Sequence, residues 1–194
     1  MTEQLLQPDI LQLAYRQGYF PMPDPETNEI LWFSPDPRAV IPLDGFHVSR
    51  SLRRRLNQQS YQVTFNQCFM DVMTSCANRP DTWINQQFLD AYGEMHELGL
   101  AHSVETWQDH TLVGGVYGVH INGAFFAESK FHLATDASKV ALYHLVQRLK
   151  EKSFSLLEVQ FMTPHLASLG AISVSAADYR HLLRVALSRP ASFL

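Results

Sequence analysis

A chain of 194 residues and 22.1 kDa can hold one good core, or a main domain with a small companion, but not several large domains. Hydrophobic residues at 46% and charged residues at 18% argue against disorder, and a net charge of −4 excludes a globally basic nucleic-acid binder, though not a local basic patch. Cys68 and Cys76 are the two cysteines, without metal-ligand spacing, so neither a disulfide framework nor a zinc site is expected.

The opening MTEQLLQPDI has no basic stretch followed by an apolar one, so no signal peptide is expected. No run approaches the roughly 18 apolar residues of a membrane span. The expected compartment is the cytoplasm, with no membrane partner.

Asp9 can cap a short helix with apolar positions Ile10, Leu13 and Ala14, ended by Gly18. Pro21, Pro23 and Pro25 predict an irregular stretch from Tyr19 onward. Ile30–Phe33 reads as a strand, Ser34–Arg38 as a turn and Ala39–Pro42 as a second strand. Ser49 can cap a helix from Arg50 to Leu56 that carries Arg50, Arg53, Arg54 and Arg55. Such a run is a solvated helix face or a contact for phosphates. These elements form an expected small N-terminal domain over residues 1–59, with a larger one over 60–194.

Tyr61–Phe65 alternates as a strand does. Phe69, Val72, Met73 and Cys76 have helical spacing, and so do Phe88, Leu89, Tyr92, Met95 and Leu98, with Gly99 as a C-cap. His102–Trp107 alternates, Gln108-Asp109-His110 turns, Leu112–His120 pairs back, Asn122-Gly123 turns again, and Ala124–Glu128 follows. Ser138 can cap a helix from Lys139 to Lys150 with Val140, Ala141, Leu145, Val146 and Leu149 on its apolar face. Phe154–Phe161 reads as a strand, Pro164–Gly170 as a short helix, and Ala177–Leu187 as the last helix. The order predicts an α+β fold: a mixed sheet with packed helices.

Three features carry chemistry. Glu128 stands just beyond Phe125-Phe126-Ala127, at the margin of an apolar layer, where a carboxylate binds a ligand or forms a salt bridge with Lys130. Gly114-Gly115 within a strand marks a bulge or the close approach of a substrate. Glu158 and Gln160 fall on one strand face by period two, and such a pair needs a polar network or aligns a reacting amine. Neither G-x-S-x-G, G-x-G-x-x-G nor a Walker A motif occurs, and the nine histidines show no ligand spacing.

The segments AYRQGYFPM, ILWFSPDPRAVIP, SRSLRR, TWI, AYGEMHELGLAHSVETW, LVGGVYGV, FFAESKFH, ASKVAL and VQFMTPHLASLGA resemble the leucyl/phenylalanyl-tRNA–protein transferase family, in family order over residues 14–171. The resemblance implies transfer of leucine or phenylalanine from leucyl-tRNA or phenylalanyl-tRNA to the α-amino group of a protein beginning with Lys or Arg. The product enters N-end-rule degradation. It implies a GNAT-like acyltransferase fold for the larger domain and no metal, ATP or other cofactor. It places Trp32, Trp107, Tyr117 and Glu128 around the donor's aminoacyl-adenosine and Lys130 at the donor side-chain pocket. It gives the catalytic roles to Gln160, with Glu158 behind it, and the tRNA phosphates to Arg50, Arg53, Arg54 and Arg55.

Two departures stand out. Ala127-Glu128-Ser129-Lys130-Phe131-His132 replaces the family's usual GESMFS, which puts a lysine where a methionine lines the pocket. Weaker leucine selectivity is the expected consequence. The glycine-rich lead-in that commonly precedes AY-x-x-G-x-FP is also reduced to Gln7-Pro8-Asp9, which implies an abbreviated small domain. The rival expectations are a GNAT-like N-acyltransferase with another donor, and a tRNA-binding protein without catalysis. A monomer is expected.

Overall fold

The computed structural model describes residues 6–24, 26–78 and 82–194. Helix α1 (Pro8–Arg16) starts with proline at its first position, with Asp9 in the first turn, where a carboxylate complements the helix dipole. Its N-cap is therefore Gln7 and not Asp9. It buries Leu11 and Tyr15, not the expected Ile10, Leu13 and Ala14. Both faces of this helix carry apolar residues, and only packing decides between them. Gly18 ends it at φ +82°, a conformation open to glycine.

Strands β1 (Phe20–Pro23) and β2 (Ile30–Phe33) pair as an antiparallel ribbon. The proline-containing stretch is thus extended, as prolines allow at a sheet edge; Pro25 lies outside the described residues. Strand β3 (Arg38–Val40) leaves the ribbon for the main sheet. Helix α2 (Arg50–Asn57) is capped by the Ser49 hydroxyl, which accepts from the Leu52 amide, and it buries only Leu52.

Strand β4 (Gln62–Phe65) and helices α3 (Phe69–Ala77) and α4 (Gln86–Glu97) follow. Helix α4 buries Phe88, Ala91, Tyr92 and Met95, while Leu98 is exposed just past its end. Next come the long antiparallel strands β5 (Ala101–Gln108), β6 (Thr111–Ile121) and β7 (Ala124–His132). Asp109 and His110 at positive φ make the first hairpin turn and Asn122 opens the second. Helix α5 (Ala137–Glu151) begins earlier than the sequence suggests. Asp136 stands at its N-cap, and Ser138 is buried inside the first turn instead of capping. Strand β8 (Leu156–Glu158), helix α6 (Pro164–Ser168), strand β9 (Ile172–Val174) and helix α7 (Ala176–Leu187) complete the chain.

The seven-stranded sheet runs β4-β5-β6-β7-β8-β3-β9. Among the described residues only the β7–β8 pair is parallel; the other pairs of this sheet are antiparallel. One apolar layer joins Leu11, Tyr15, Val72, Phe88, Tyr92 and Leu183, and the other joins Leu52, Val140, Leu145, Leu149 and Leu166. This is a mixed α+β fold with helices on both faces of the sheet.

The glycines of β6 serve this packing. A β-carbon on Gly114 would meet the Ala137 β-carbon and the Thr106 hydroxyl, both at 2.7 Å. One on Gly115 would lie 3.0 Å from the Val104 carbonyl oxygen. The glycine pair thus lets α5 and β5 close on the strand, which accounts for it without a substrate.

Candidate active site

Two irregularities build the site. Between β6 and β7 the register passes from Gly118↔Ala127 to Tyr117↔Ser129, so Glu128 is the extra residue of a bulge. It lies within β7 and not at its end, because the strand continues to His132. A bulge bends the strand and re-aims its side chains. Ala124 and Phe126 face the first apolar layer before the bulge, and Phe131, of opposite parity, faces it afterwards.

The second irregularity ends β8. The parallel pairing runs through Ala124↔Leu156, Phe125↔Leu157 and Phe126↔Glu158 and then stops. The strand expected over Phe154–Phe161 is therefore limited to Leu156–Glu158. Gln160 lies past it in a left-handed conformation with φ +63°. Period two does not bring Gln160 and Glu158 together; a turn does. The Gln160 amide N–H donates to Glu158 Oε1 at 2.7 Å.

A buried polar chain joins these points. Gln160 Nε2 donates to Glu128 Oε2 at 3.0 Å. The Tyr15 hydroxyl donates to Glu128 Oε1 at 2.6 Å. The Tyr92 and Tyr15 hydroxyl oxygens are 2.5 Å apart, and since Tyr15 spends its proton on Glu128, Tyr92 donates to Tyr15. Arg38 Nη1 lies 3.1 Å from Glu158 Oε1, with both side chains 1% exposed.

Burial dominates the titration of this chain. It pushes the Glu128 carboxyl up to about 8, with the donated Tyr15 hydrogen bond opposing and the Glu158 charge adding. Burial also raises Glu158, held back by the Arg38 guanidinium. The Tyr15 and Tyr92 phenols are raised by burial and by the nearby Glu128. Two carboxyls are thus held apart in behaviour, one beside a cation and one among neutral donors.

The crevice beyond the parallel strands is a cavity of about 60 Å³. Val116, Ala127, Leu142, Val159 and Leu166 give it apolar walls, and Glu128 and the half-buried Lys130 also line it. A separate hollow of about 620 Å³ is lined by Arg50, Ser51, Arg54, Arg55, Gln58, Thr135 and Asp136, whose carboxylate pairs with Lys139. Arg53 is exposed and does not line it. Among the described residues no ion pair engages any of these arginines.

The remaining expected residues are not drawn into the polar chain. Trp107 spends its indole N–H on the Thr64 hydroxyl at 2.7 Å. Tyr117 is fully buried, its ring edge-on to Tyr92 with centroids 6.0 Å apart, so it supports the site from beneath. Trp32 is half-buried and lines a hollow of about 270 Å³ with Ile10, Leu13, Ala14 and Tyr19. Conversely, Tyr15, Tyr92 and Arg38 belong to the polar chain and were not expected there. The signal for Tyr92 was a phenol on a helix's buried stripe, which needs a polar partner inside the core; Tyr15 lay off the stripe read for its helix. Arg38 read only as the end of a turn.

A family model described as leucyl/phenylalanyl-tRNA protein transferase matches residues 40–184, and one for the N-terminal domain of the same transferase matches residues 5–36. A leucyl/phenylalanyl-tRNA–protein transferase of Herpetosiphon aurantiacus is 49% identical over 194 residues, 100% of both chains. Counterparts from a Ruegeria species and from Akkermansia muciniphila are each 48% identical, covering 97% and 94% of this chain and 90% and 96% of theirs. Among solved structures, L-PGS from Bacillus licheniformis gives a TM-score of 0.44 at 13% identity over 84% of this chain and 55% of that one, too weak a likeness to inform the fold. Matches at this identity over the whole chain, together with a family model covering most of it, establish that the chain belongs to the leucyl/phenylalanyl-tRNA–protein transferase family.

Proposed function

We propose that this protein moves leucine or phenylalanine from aminoacyl-tRNA to the α-amino group of a protein beginning with Lys or Arg, and so marks that protein for N-end-rule degradation. The observation that carries the reading is the hydrogen bond from the half-buried Gln160 amide to Glu128, a buried carboxyl that lines an apolar crevice, on a chain of this family. Its apolar walls match the chemistry of an apolar donor side chain, and an amide held by a carboxylate is oriented before the substrate arrives. The sheet supports a GNAT-type acyltransferase architecture through its one parallel pair, which parts at the site. The two parts of the chain share the work: residues 1–59 bring α1 and the arginine helix, and residues 60–194 bring Glu128, Glu158 and Gln160.

The reaction is direct aminolysis. The neutral α-amine of the acceptor attacks the ester carbonyl, the C–N bond forms, and the C–O bond to the terminal ribose breaks. The proton lost by the amine passes to the ribose oxygen. Gln160 aligns the amine, Glu128 holds the Gln160 amide and faces the donor's adenosine, and Glu158 fixes the turn. Trp32, Trp107 and Tyr117 remain assigned to the donor's surroundings, with Tyr117 acting through Tyr92. The ester is already activated, so the step calls for no metal, ATP or other cofactor. Among the described residues no helix is long and apolar enough to cross a membrane. We place the activity in the cytoplasm and in a monomer.

Purified protein mixed with labelled leucyl-tRNA and phenylalanyl-tRNA and a peptide beginning with Arg or Lys transfers label to the peptide. A folded protein that binds the tRNA and transfers nothing refutes the reading in favour of a binding protein.

Arg50, Arg54 and Arg55 line one hollow and suit the donor's phosphates. Arg54→Ala weakens aminoacyl-tRNA binding and lowers the slope of log affinity against log salt by about one. Arg53→Ala, outside the hollow, changes it less. An unaltered salt slope in Arg54→Ala removes this helix from the tRNA site.

Lys130 is a lining residue of the apolar crevice. Lys130→Met raises the preference for leucine over smaller or polar donors by about tenfold, the scale of one apolar contact in such a pocket. Competition between differently charged tRNAs measures it, and an unchanged ratio discards the role of Lys130.

A further inference from the structure

Arg38 is 1% exposed and is among the largest fully buried side chains. Its guanidinium is clamped. Nη1 lies 3.1 Å from Glu158 Oε1. Nη2 donates to the Gly18 carbonyl at 2.6 Å and to the Ser34 hydroxyl at 3.2 Å. Its plane is bracketed by rings, with the central carbon 5.1 Å from the Phe20 centroid and 4.3 Å from that of Tyr179. A buried ion pair is a poor means of gaining stability, because losing water costs as much as the attraction returns. It does fix geometry where geometry matters.

The geometry here is that of Gln160. A non-glycine residue at φ +63° persists only where its surroundings hold it. Three bonds hold this one. Its N–H donates to Glu158 Oε1 at 2.7 Å, the same oxygen that binds Arg38. Its carbonyl accepts from Ala39, the neighbour of Arg38, at 3.0 Å. Its side-chain amide donates to Glu128. Arg38 also grips Gly18, at the end of the helix that carries Tyr15, the other donor to Glu128. One side chain therefore ties together both arms that meet on that carboxyl.

We propose that Arg38 is a positioning residue for the transfer: by binding Glu158 and Gly18 it fixes the turn that aims the Gln160 amide at Glu128. The catalytic consequence rests on the role assigned to Gln160 above. The charged and titratable groups facing Glu158 are Arg38 from β3, Glu128 from β7 and Tyr179 from α7. Removing the arginine leaves the buried Glu158 without its cation, so it takes up a proton at higher pH and becomes a weaker acceptor for the Gln160 N–H.

The test uses Arg38→Met and Arg38→Lys in the full chain, checked for folding by melting. In Arg38→Met the Gln160 backbone amide proton resonance moves upfield and exchanges faster. Its kcat falls by about 10²-fold, the scale of a misplacement of about 1 Å, and KM for aminoacyl-tRNA stays within about twofold. The acid limb of its kcat profile changes, because Glu158 takes up a proton over a range where Arg38 holds it ionised in the wild type. Arg38→Lys, with a cation but no fork, recovers part of each change. If Arg38→Met does not fold, Arg38→Lys carries the measurement through a partial shift of the same resonance. A folded Arg38→Met with an unmoved Gln160 resonance overturns the proposal. So does an equal fall in kcat for both variants with an unmoved acid limb, which marks a merely structural loss. A moved resonance with wild-type kcat instead refutes the role of Gln160, and with it any effect of Arg38 on catalysis.

Discussion

Gln160→Ala lowers kcat for transfer by about 10²- to 10³-fold, the range seen when one preorganised polar group is removed from a reacting centre. KM for aminoacyl-tRNA changes little, because the contacts proposed for its phosphates and for the donor side chain lie in the arginine-lined hollow and the apolar crevice, neither of which Gln160 lines. The fold survives, since Gln160 is only half-buried and its backbone bonds to Glu158 and Ala39 do not need the side chain. Alanine does retain the left-handed strain at φ +63°, so Gln160→Asn, which tolerates that region, is the companion variant. It keeps the turn and shortens the reach, and it should be nearly as slow as Gln160→Ala. Normal transfer by Gln160→Ala, measured with labelled phenylalanyl-tRNA and an Arg-initiated peptide, removes Gln160 from the reaction.

The second large effect is a pH dependence. With Glu128 ionised, both of its oxygens accept, one from Tyr15 and one from Gln160. A proton on Oε2 displaces the Gln160 N–H, and the amide must turn its carbonyl toward Glu128. The ionised form thus favours the orientation in which the Gln160 amide nitrogen faces Glu128. Burial sets the carboxyl near 8, so kcat rises as pH passes through about 8 and falls off on the acid side. The acceptor's α-amine titrates at about 7.7–8.0 and adds its own limb, so the wild type loses activity with two protons. Glu128→Gln has one acceptor oxygen for the two donors, Tyr15 and Gln160, at every pH. Its kcat stays at least about tenfold down at alkaline pH, and its acid limb reflects one proton. Identical profiles for the two proteins refute the role of Glu128.

Stability shifts in a matching direction. The folded value near 8 lies above the ordinary 4.5, so the folded state holds this proton more tightly. The contribution of Glu128 is fully present below about 4.5 and is lost as pH rises to about 8. Between those limits the wild type loses more melting temperature than Glu128→Gln does.

Much of the fold is legible from local pattern. The apolar stripe of α5 is buried at Val140, Ala141, Leu145, Val146 and Leu149, as its spacing requires. Asn122-Gly123 turns, Gly18 and Gly99 end helices at positive φ, and Ser49 caps α2. These outcomes depend on neighbours within a turn or two, and the sequence carries them directly. The opposite face of α1 was chosen because both of its faces are apolar, a tie that only tertiary packing breaks.

The site shows the same division. Glu128, Glu158 and Gln160 were evident as residues, through an apolar run that ends in a carboxylate and through the family resemblance. Their arrangement was not. Glu128 is aimed by a bulge that arises from how β6 lies on β7, and Gln160 by a turn that breaks the period-two pattern. Their partners come from distant parts of the chain: Tyr15 lies 113 positions from Glu128, and Arg38 lies 120 from Glu158. A tyrosine on a helix stripe and an arginine after a turn show no local mark of what they bind. The sequence by itself determined which elements form and which chemistry the chain carries, because those follow from side-chain type and short-range spacing. Only the tertiary structure decided which oxygen meets which donor, because burial removes water from these groups and leaves each only the partners that packing delivers.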